Sequence, residues 1–344
     1  MKKGIGYTEH KGKAVVTDGR FQHVMAIALD PRTGYKEGVI RCITARDGDV
    51  QVSGYVDRSV LHRVDQKNDG AFAIGKELKI ANRAEIVDSL LKKTKGEGWD
   101  FIGLEDPDIW IDEKTNQVHF YCTLPIIHKT LHTADIHLAH AVGDNLDSLT
   151  MTEPSLMAIR DDIQSIGAKE LSIAPINSRG FRYNLIESGD LLPDFHYSVV
   201  RTAIVEDMGK PWKYGNIVFH PADHKIPWIG GHASPGPLLP KSFIDLGENK
   251  LLGIMNGREA NQKIGEKIKY GMFSVGLFIY DYEQGKIDWV SPKPFIQDSE
   301  AITITFASQF IEGSAGTGTL YAHVDDSFVR AYTLDAAEIK TLLP

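Results

Sequence analysis

Cysteine is scarce in this chain. There are two, Cys42 and Cys122, with no C-x-x-C pair. Both fall in strand-like apolar runs, so two buried thiols are expected rather than a disulfide framework. Basic residues are in deficit. Lys and Arg number 38 against 46 Asp and Glu, a net charge of -8. That argues against non-specific nucleic-acid binding, because attraction to phosphate needs a basic surface. No apolar run reaches the roughly 18 residues that span a bilayer. Met1-Lys2-Lys3-Gly4-Ile5-Gly6 also lacks the apolar stretch of a signal peptide. No membrane partner is therefore expected, and the cytoplasm is the default location. Helical periodicity is rare: Lys76 to Lys93 is the one convincing stretch, with Leu78, Ile80, Ile86, Leu90 and Leu91 roughly on one side and Lys92-Lys93 suiting the helix dipole. Gly313 to Gly318 is Gly-rich but has neither the Lys of a phosphate loop nor a following helix, and reads as a hairpin turn.

What is present is a succession of strands and turns. Apolar residues make up 42% and charged residues 24%, as in an ordinary globular chain, and 344 residues suit one all-β ring or barrel. The organising stretch is Gly103-Leu104-Glu105-Asp106-Pro107-Asp108-Ile109-Trp110-Ile111-Asp112. Two adjacent carboxylates and a proline open an apolar strand, and the rigid X-Pro step is a common way to aim an acid into a pocket. On this stretch alone, a turn of acids ahead of a strand explains the pattern equally well.

The first hundred residues give a strand from Phe21 to Leu29, then Val39 to Thr44 and Val50 to Tyr55 around the Asp47-Gly48-Asp49 turn, while residues 1–20 are polar and without a clear place. Beyond residue 100 a unit repeats. Leu104 to Asp112, Val118 to Leu124 and Ile136 to Val142 form one; Leu171 to Ile176, Phe181 to Glu187 and Tyr197 to Val205 the next. Gly236 to Leu246, Lys250 to Asn256 and Ser274 to Tyr282 follow, then Ile302 to Phe310, Gly318 to His323 and Phe328 to Thr333. Asp106, Glu170, Pro235 and Thr303 occupy comparable first-strand positions, 64, 65 and 68 residues apart. A period of that size with about four strands per unit fits propeller blades, and the chain length allows about five. The expected fold is an all-β, five-bladed β-propeller forming a single domain over residues 1–344, its later blades at about 100–335.

In a propeller the first strands line a central channel, so polar residues at their ends converge although far apart in sequence. The converging candidates are Glu105 and Asp106, Lys169 and Glu170, His232 and Ser234, and the loop near Asp298 and Glu300. Several acids in one pocket are what glycoside cleavage needs: one protonated carboxyl serves the leaving oxygen, and an ionised one activates water or attacks carbon. Mutual repulsion can keep one of them protonated near neutral pH.

At this point the sequence resembles the five-bladed propeller glycosidases, most of all glycoside hydrolase family 130, the β-mannoside phosphorylases and β-mannosidases. Glu105-Asp106-Pro107 matches the family's Glu-Asp-Pro signature, whose Asp is the proposed general acid. Lys169-Glu170-Leu171-Ser172-Ile173-Ala174-Pro175 resembles its third-blade segment, and Gly231-His232-Ala233-Ser234-Pro235-Gly236-Pro237 the opening of its fourth. Leu251-Leu252-Gly253-Ile254-Met255-Asn256-Gly257 is similar to the strand that usually ends Tyr-His-Gly, and Gly318 to Asp325 to the segment whose Asp holds a sugar hydroxyl. The resemblance implies Asp106 and Glu170 as catalytic residues. It implies substrate contacts from Glu105, Lys169, Glu187, Trp228, His232, Ser234, Asn256, Arg258 and Asp325, an oligosaccharide partner, and no cofactor.

The departures bear on mechanism. The Arg that usually follows Glu-Asp-Pro is Asp108, the third-blade Arg is replaced near Ile186-Glu187, and the His before Gly is Asn256. Fewer cations weaken phosphorolysis, which must hold inorganic phosphate, and favour hydrolysis, an altered substrate or lost activity, unless Lys169, Arg182 or Arg258 compensates. Glu187 precedes Ser188-Gly189-Asp190 and reads better as a turn residue than as a ligand. Among aromatic residues able to stack on a sugar, Trp110 reads as core and Trp228, in a Pro- and Gly-bounded loop, as the better platform. His128, His132, His137 and His140 share no helical frame, and His137 and His140 would face opposite sides of a strand, so no metal is expected. The expectation is an inverting glycosidase acting on a mannoside-like oligosaccharide, with a phosphorylase or a non-catalytic carbohydrate-binding propeller as alternatives and the oligomeric state open.

Overall fold

The sheets are meanders, each strand hydrogen-bonded to the one before it. A computed structural model describes residues 2–94, 96–130, 133–160, 165–190, 197–265 and 267–344. The first meander runs through His23–Leu29, Glu37–Asp47, Val56–Gln66 and Phe72–Glu77, with Val15–Val16 as a parallel edge. The second has Glu105–Ile111, Val118–His128, Ala134–Gly143 and Thr150–Met151, and Trp99–Phe101 pairs with the far end of its second strand. Lys169–Ser172, Arg182–Gly189, Ser198–Val205 and Lys213–Phe219 form the third. His232–Leu238, Lys250–Arg258, Phe273–Asp281 and Lys286–Val290 form the fourth, joined to the third by one parallel bridge, Ser198 to His232. The last contains Thr305–Glu312, Thr317–Val324 and Phe328–Asp335, and is completed by Tyr7–Glu9 and Lys3–Gly4 from the start of the chain. Tyr7–Glu9 lacked a place in the sequence because its partner strand lies more than 300 positions away.

The meanders stack face to face. Strand Val118–His128 is buried almost throughout, and its side chains alternate between two cores. Phe120, Cys122, Leu124 and Ile126 meet Leu78, Val87 and Leu90 on one side. Tyr121 meets Ala203, Val205 and Trp212 on the other. Period-two alternation with apolar residues on both faces is what a sheet covered on both sides requires. The first strands of consecutive meanders touch one another in order, and that of the last touches that of the first. They therefore surround a common axis, in an all-β, propeller-like arrangement.

Several boundaries differ from the sequence expectation. The third strand of the first meander is Val56–Gln66, not residues 50–55, which lie in the turn region before it. The first strands of the third and fourth meanders begin earlier than expected, at Lys169 and His232, because polar residues start them at the channel end. The helix is Arg83–Lys93; Lys76 and Glu77 belong to the preceding strand. Its insertion stretches the first interval of the repeat and hides the first meander from the period seen later. No helix among the described residues is long and apolar enough to cross a membrane. Cys42 and Cys122 are buried and free.

Where two glycines face Trp228, the packing leaves no room for a side chain. A Cβ on Gly257 or Gly276 would come within 2.4 or 2.3 Å of the indole ring. Gly276→Ala should lower stability by about 1–3 kcal/mol, as over-packing does in a full core, measured as a shift in the urea midpoint against wild type.

Candidate active site

Each first strand carries a β-bulge near its channel end. Register slips fall at Met25/Ile27, at Lys169/Leu171, opposite Asp106 at Tyr121/Thr123, at Pro235/Leu238 and at Ala307/Gln309. Three bulge residues that are not glycine adopt positive φ: Ala26 at 47°, Asp106 at 44° and Glu170 at 49°. A bulge re-aims a side chain, and an L-residue in the left-handed region is held there by its surroundings. Gly103 fixes the approach to this bulge. Its φ is 116°, and a Cβ there would lie 1.9 Å from the carbonyl oxygen of Ser59. Only glycine lets the chain pass so close to the first meander before turning into Glu105.

The bulges at Met25, Asp106 and Glu170 open onto a cavity of about 460 Å³ whose lining includes Asp57, Glu105, Asp106, Glu170, Glu187 and Asp326. Five of these six carboxylates have a cationic or imidazole partner. Arg41 donates to Glu105 Oε1 at 2.6 Å and to Asp106 Oδ1 at 2.9 Å. Arg46 holds Asp57 through two bonds of 2.7 and 2.6 Å. Lys169 Nζ and His232 Nε2 lie 3.3 and 3.1 Å from the two oxygens of Glu187. His323 Nε2 stands 3.1 Å from Asp326 Oδ1, and Tyr55 donates to Asp326 Oδ2 at 3.0 Å. Glu170 is the sixth. It has no Arg, Lys or His at ion-pair distance among the described residues, and it shares a hydrogen bond with Asp106.

The titration pattern follows from these partners. Burial, then the charge of Asp106, pushes Glu170 well above the carboxylate range, against the pull of nearby Lys169. Glu105 is pushed up to about 7 by burial, opposed by Arg41. Burial would raise Glu187 too, but His232 and Lys169 hold it far below its ordinary value. Burial likewise works against Asp326, and the hydrogen bond and charge of His323 lower it to about 2. His232 is lowered to about 4 by burial. The site thus holds one carboxyl, Glu170, raised well above its ordinary range and two, Glu187 and Asp326, held low. Environments that push carboxyls apart in this way separate acid from base.

Of the residues expected from sequence, Glu105, Asp106, Lys169, Glu170, Glu187, His232 and Arg258 line the cavity. Glu187 is not a turn residue: it lies inside strand Arg182–Gly189, directly paired with Lys169. Four others are placed elsewhere. Trp228 is 4% exposed and packed in the core, its Nε1 donating to Ser291 O, so it is no sugar platform. Asn256 is fully buried and clamps the fifth meander, giving to Ala307 O at 3.0 Å and receiving from Ala307 N at 2.8 Å. Asp325 spends its carboxylate on the N–H groups of Ile302, Thr303 and Ile304, and its neighbour Asp326 faces the cavity instead. Ser234 is fully buried and does not line the cavity.

Sequence reasoning missed Arg41, Tyr55, Tyr270, Phe273, Phe306, His323 and Asp326, all on the cavity wall. Arg41 left a signal, since it is a lone charge in the run Val39-Ile40-Arg41-Cys42-Ile43. The aromatic residues left none, because alternating strands bury aromatics everywhere. His132 lies outside the described residues. His140 Nε2 lies 3.0 Å from His119 Nδ1 and its Nδ1 lies 2.8 Å from the Thr152 hydroxyl, which makes it part of a buried polar chain.

Asp108, where the resembling family has Arg, does not reach this cavity. It lines a second one of about 600 Å³, with Trp110 and Arg182. Burial pushes Asp108 up to about 7, against the Ile109 N–H that it accepts. A folded carboxyl that holds its proton more tightly than the unfolded one favours the fold at low pH and loses that advantage as pH rises. The Asp108 contribution to folding stability should therefore fall between about pH 4 and 7. Asp108→Asn should remove a part on the order of 2 kcal/mol of that slope, read from urea melts at pH 4.5 and 7.5.

No protein-family model and no curated protein sequence matches the chain. Solved structures do. A β-1,2-mannobiose phosphorylase from Listeria innocua, in complex with β-1,2-mannobiose, is 13% identical with a TM-score of 0.59, over 100% of this chain and 94% of that one. A mannose phosphorylase from Leishmania mexicana, in complex with phosphate ion, is 14% identical with a TM-score of 0.51, over 99% and 88%. A family 43 β-1,3-galactosidase with galactodeoxynojirimycin is 11% identical with a TM-score of 0.53, over 95% and 94%. Along its whole length, then, this chain has the fold of the propeller glycosidases and resembles family 130 in that fold.

Proposed function

We propose that the five meanders are the five blades of a single-domain β-propeller that hydrolyses a mannoside-like oligosaccharide with inversion. The observation that carries this reading is the Glu170–Asp106 pair: a carboxyl raised well above its ordinary range, aimed with its neighbour into the cavity from two strained bulges, beside carboxylates held low. The pair gives its proton to the glycosidic oxygen as the bond to the anomeric carbon breaks. Asp326 takes a proton from the water that attacks that carbon. Both groups need to stand on opposite faces of the sugar, as inversion demands. Arg41 keeps Asp106 and Glu105 in place, and Tyr270, Phe273 and Phe306 offer apolar faces to the ring.

Arg258 favours phosphorolysis as a second reading. Its guanidinium lies 4.2 Å from the Tyr270 ring centre and 5.3 Å from that of Phe273. It makes no ion pair among the described residues, and a planar guanidinium held this way suits a phosphate.

The test is product release from a panel of β-mannosides, with and without inorganic phosphate. Free sugar without phosphate, reduced about 10²–10⁴-fold in Asp106→Asn and in Glu170→Gln, is the expected result. Sugar phosphate formed only with phosphate present, and lost in Arg258→Met, would replace hydrolysis by phosphorolysis. No turnover by the folded protein on any member of the panel would leave a carbohydrate-binding propeller.

A further inference from the structure

Of the two short hairpins among the described residues that belong to none of the five meanders, the second reaches across the fold. Gln262–Ile264 and Lys267–Lys269 pair with each other and rise from the end of the second strand of the fourth meander. The returning strand then joins the first meander, which is not its neighbour around the axis. Val52 bridges antiparallel to Lys269; Ser53 N donates to Ile268 O at 3.0 Å and Tyr270 N to Gln51 O at 2.9 Å. The link therefore passes over the fifth meander, whose residue Thr303 accepts from Phe273 N at 2.7 Å beneath it.

This junction forms a wall of the catalytic cavity. Tyr270 follows the returning strand directly, and Tyr55 follows the loop it pairs with. Both line the cavity, with ring centres 6.4 Å apart in an edge-to-face contact. Arg258 stacks on Tyr270 from the cavity side. The wall is a single antiparallel bridge at the rim, with the Tyr55–Tyr270 aromatic pair below it. A sugar chain passing over the fifth meander would have to break two backbone hydrogen bonds and that aromatic pair.

We infer that the junction of Gln51–Ser53 with Ile268–Tyr270 makes the cavity blind on that side, so that the protein takes the end of an oligosaccharide chain and not its interior. The inference rests on the proposed glycoside function and adds the substrate's form to it: a chain terminus abuts Tyr55 and Tyr270, and the rest of the chain leaves away from the fifth meander. The position of a specificity element on backbone pairing gives it a sharp test, because Ser53→Pro removes the N–H that bonds to Ile268 O and leaves every cavity side chain in place.

The experiment uses β-mannooligosaccharides of two to six residues, either free-ended or carrying a bulky group at both termini. Cleavage is followed by product size, and binding by calorimetry. Wild type should cleave and bind the free-ended chains and release one fixed small product. It should bind the doubly blocked chains at least ten-fold more weakly. Ser53→Pro should narrow that gap, and so should a variant with residues 262–268 replaced by two glycines. A double Val52→Cys/Lys269→Cys variant, oxidised, should keep it, which shows that opening and not misfolding is responsible. Equal binding or internal cleavage of doubly blocked chains by wild type would overturn the inference. If no chain is cleaved, the hydrolytic reading falls, and the free-ended against blocked binding ratio still decides the role of the wall.

Discussion

The cavity depends on one buried arrangement, Arg41 between Glu105 and Asp106. The guanidinium comes from the first meander and the two acids from the second, so it locks the angle at which those meanders meet. Two adjacent buried carboxylates would repel each other and resist ionisation without a cation. A guanidinium with no carboxylate would be equally costly to bury. Burial disfavours the charge on Arg41, yet Asp106 and Glu105 more than offset that and hold it protonated. Glu170 lies beside Asp106, and burial first, then the charge of Asp106, raises it well above the carboxylate range.

The backbone cooperates. Asp106 and Glu170 sit at equivalent bulges of consecutive first strands, both at positive φ. A regular strand would direct one of each adjacent pair, Glu105 or Asp106, Lys169 or Glu170, away from the channel. The bulge brings both members of each pair to the cavity, where a cation and an acid from the same strand can act on different partners. Lys169 turns to Glu187, and Glu170 turns to Asp106. Asn256 clamps the first strand of the fifth meander to the fourth through Ala307.

Much of this was legible in the sequence, and the reasons for the rest are physical. Asp106, Glu170 and their spacing stood out because proline and paired charges punctuate an apolar strand. Glu187 was misjudged because the small residues after it suggested a turn, whereas the strand runs on to Gly189. Trp228, Asn256, Ser234 and Asp325 belong to motif-like segments and serve packing, clamping and turn formation. A short motif identifies a segment, and the direction of each side chain within it depends on register. Asp325 and Asp326 differ by one position, and only the fold decides which of them faces the cavity.

By itself the sequence determined the strand content, the interval between first strands from residue 106 onward, and three of the acids that converge, Glu105, Asp106 and Glu170. Those are local properties, set by alternation and turn chemistry. The tertiary structure alone decided that Arg41 neutralises Glu105 and Asp106, that Tyr7–Glu9 completes the last sheet, and that Gln51–Ser53 joins Ile268–Tyr270 over the fifth meander. Each of these joins residues more than 60 positions apart, and no local propensity records a partner at that distance.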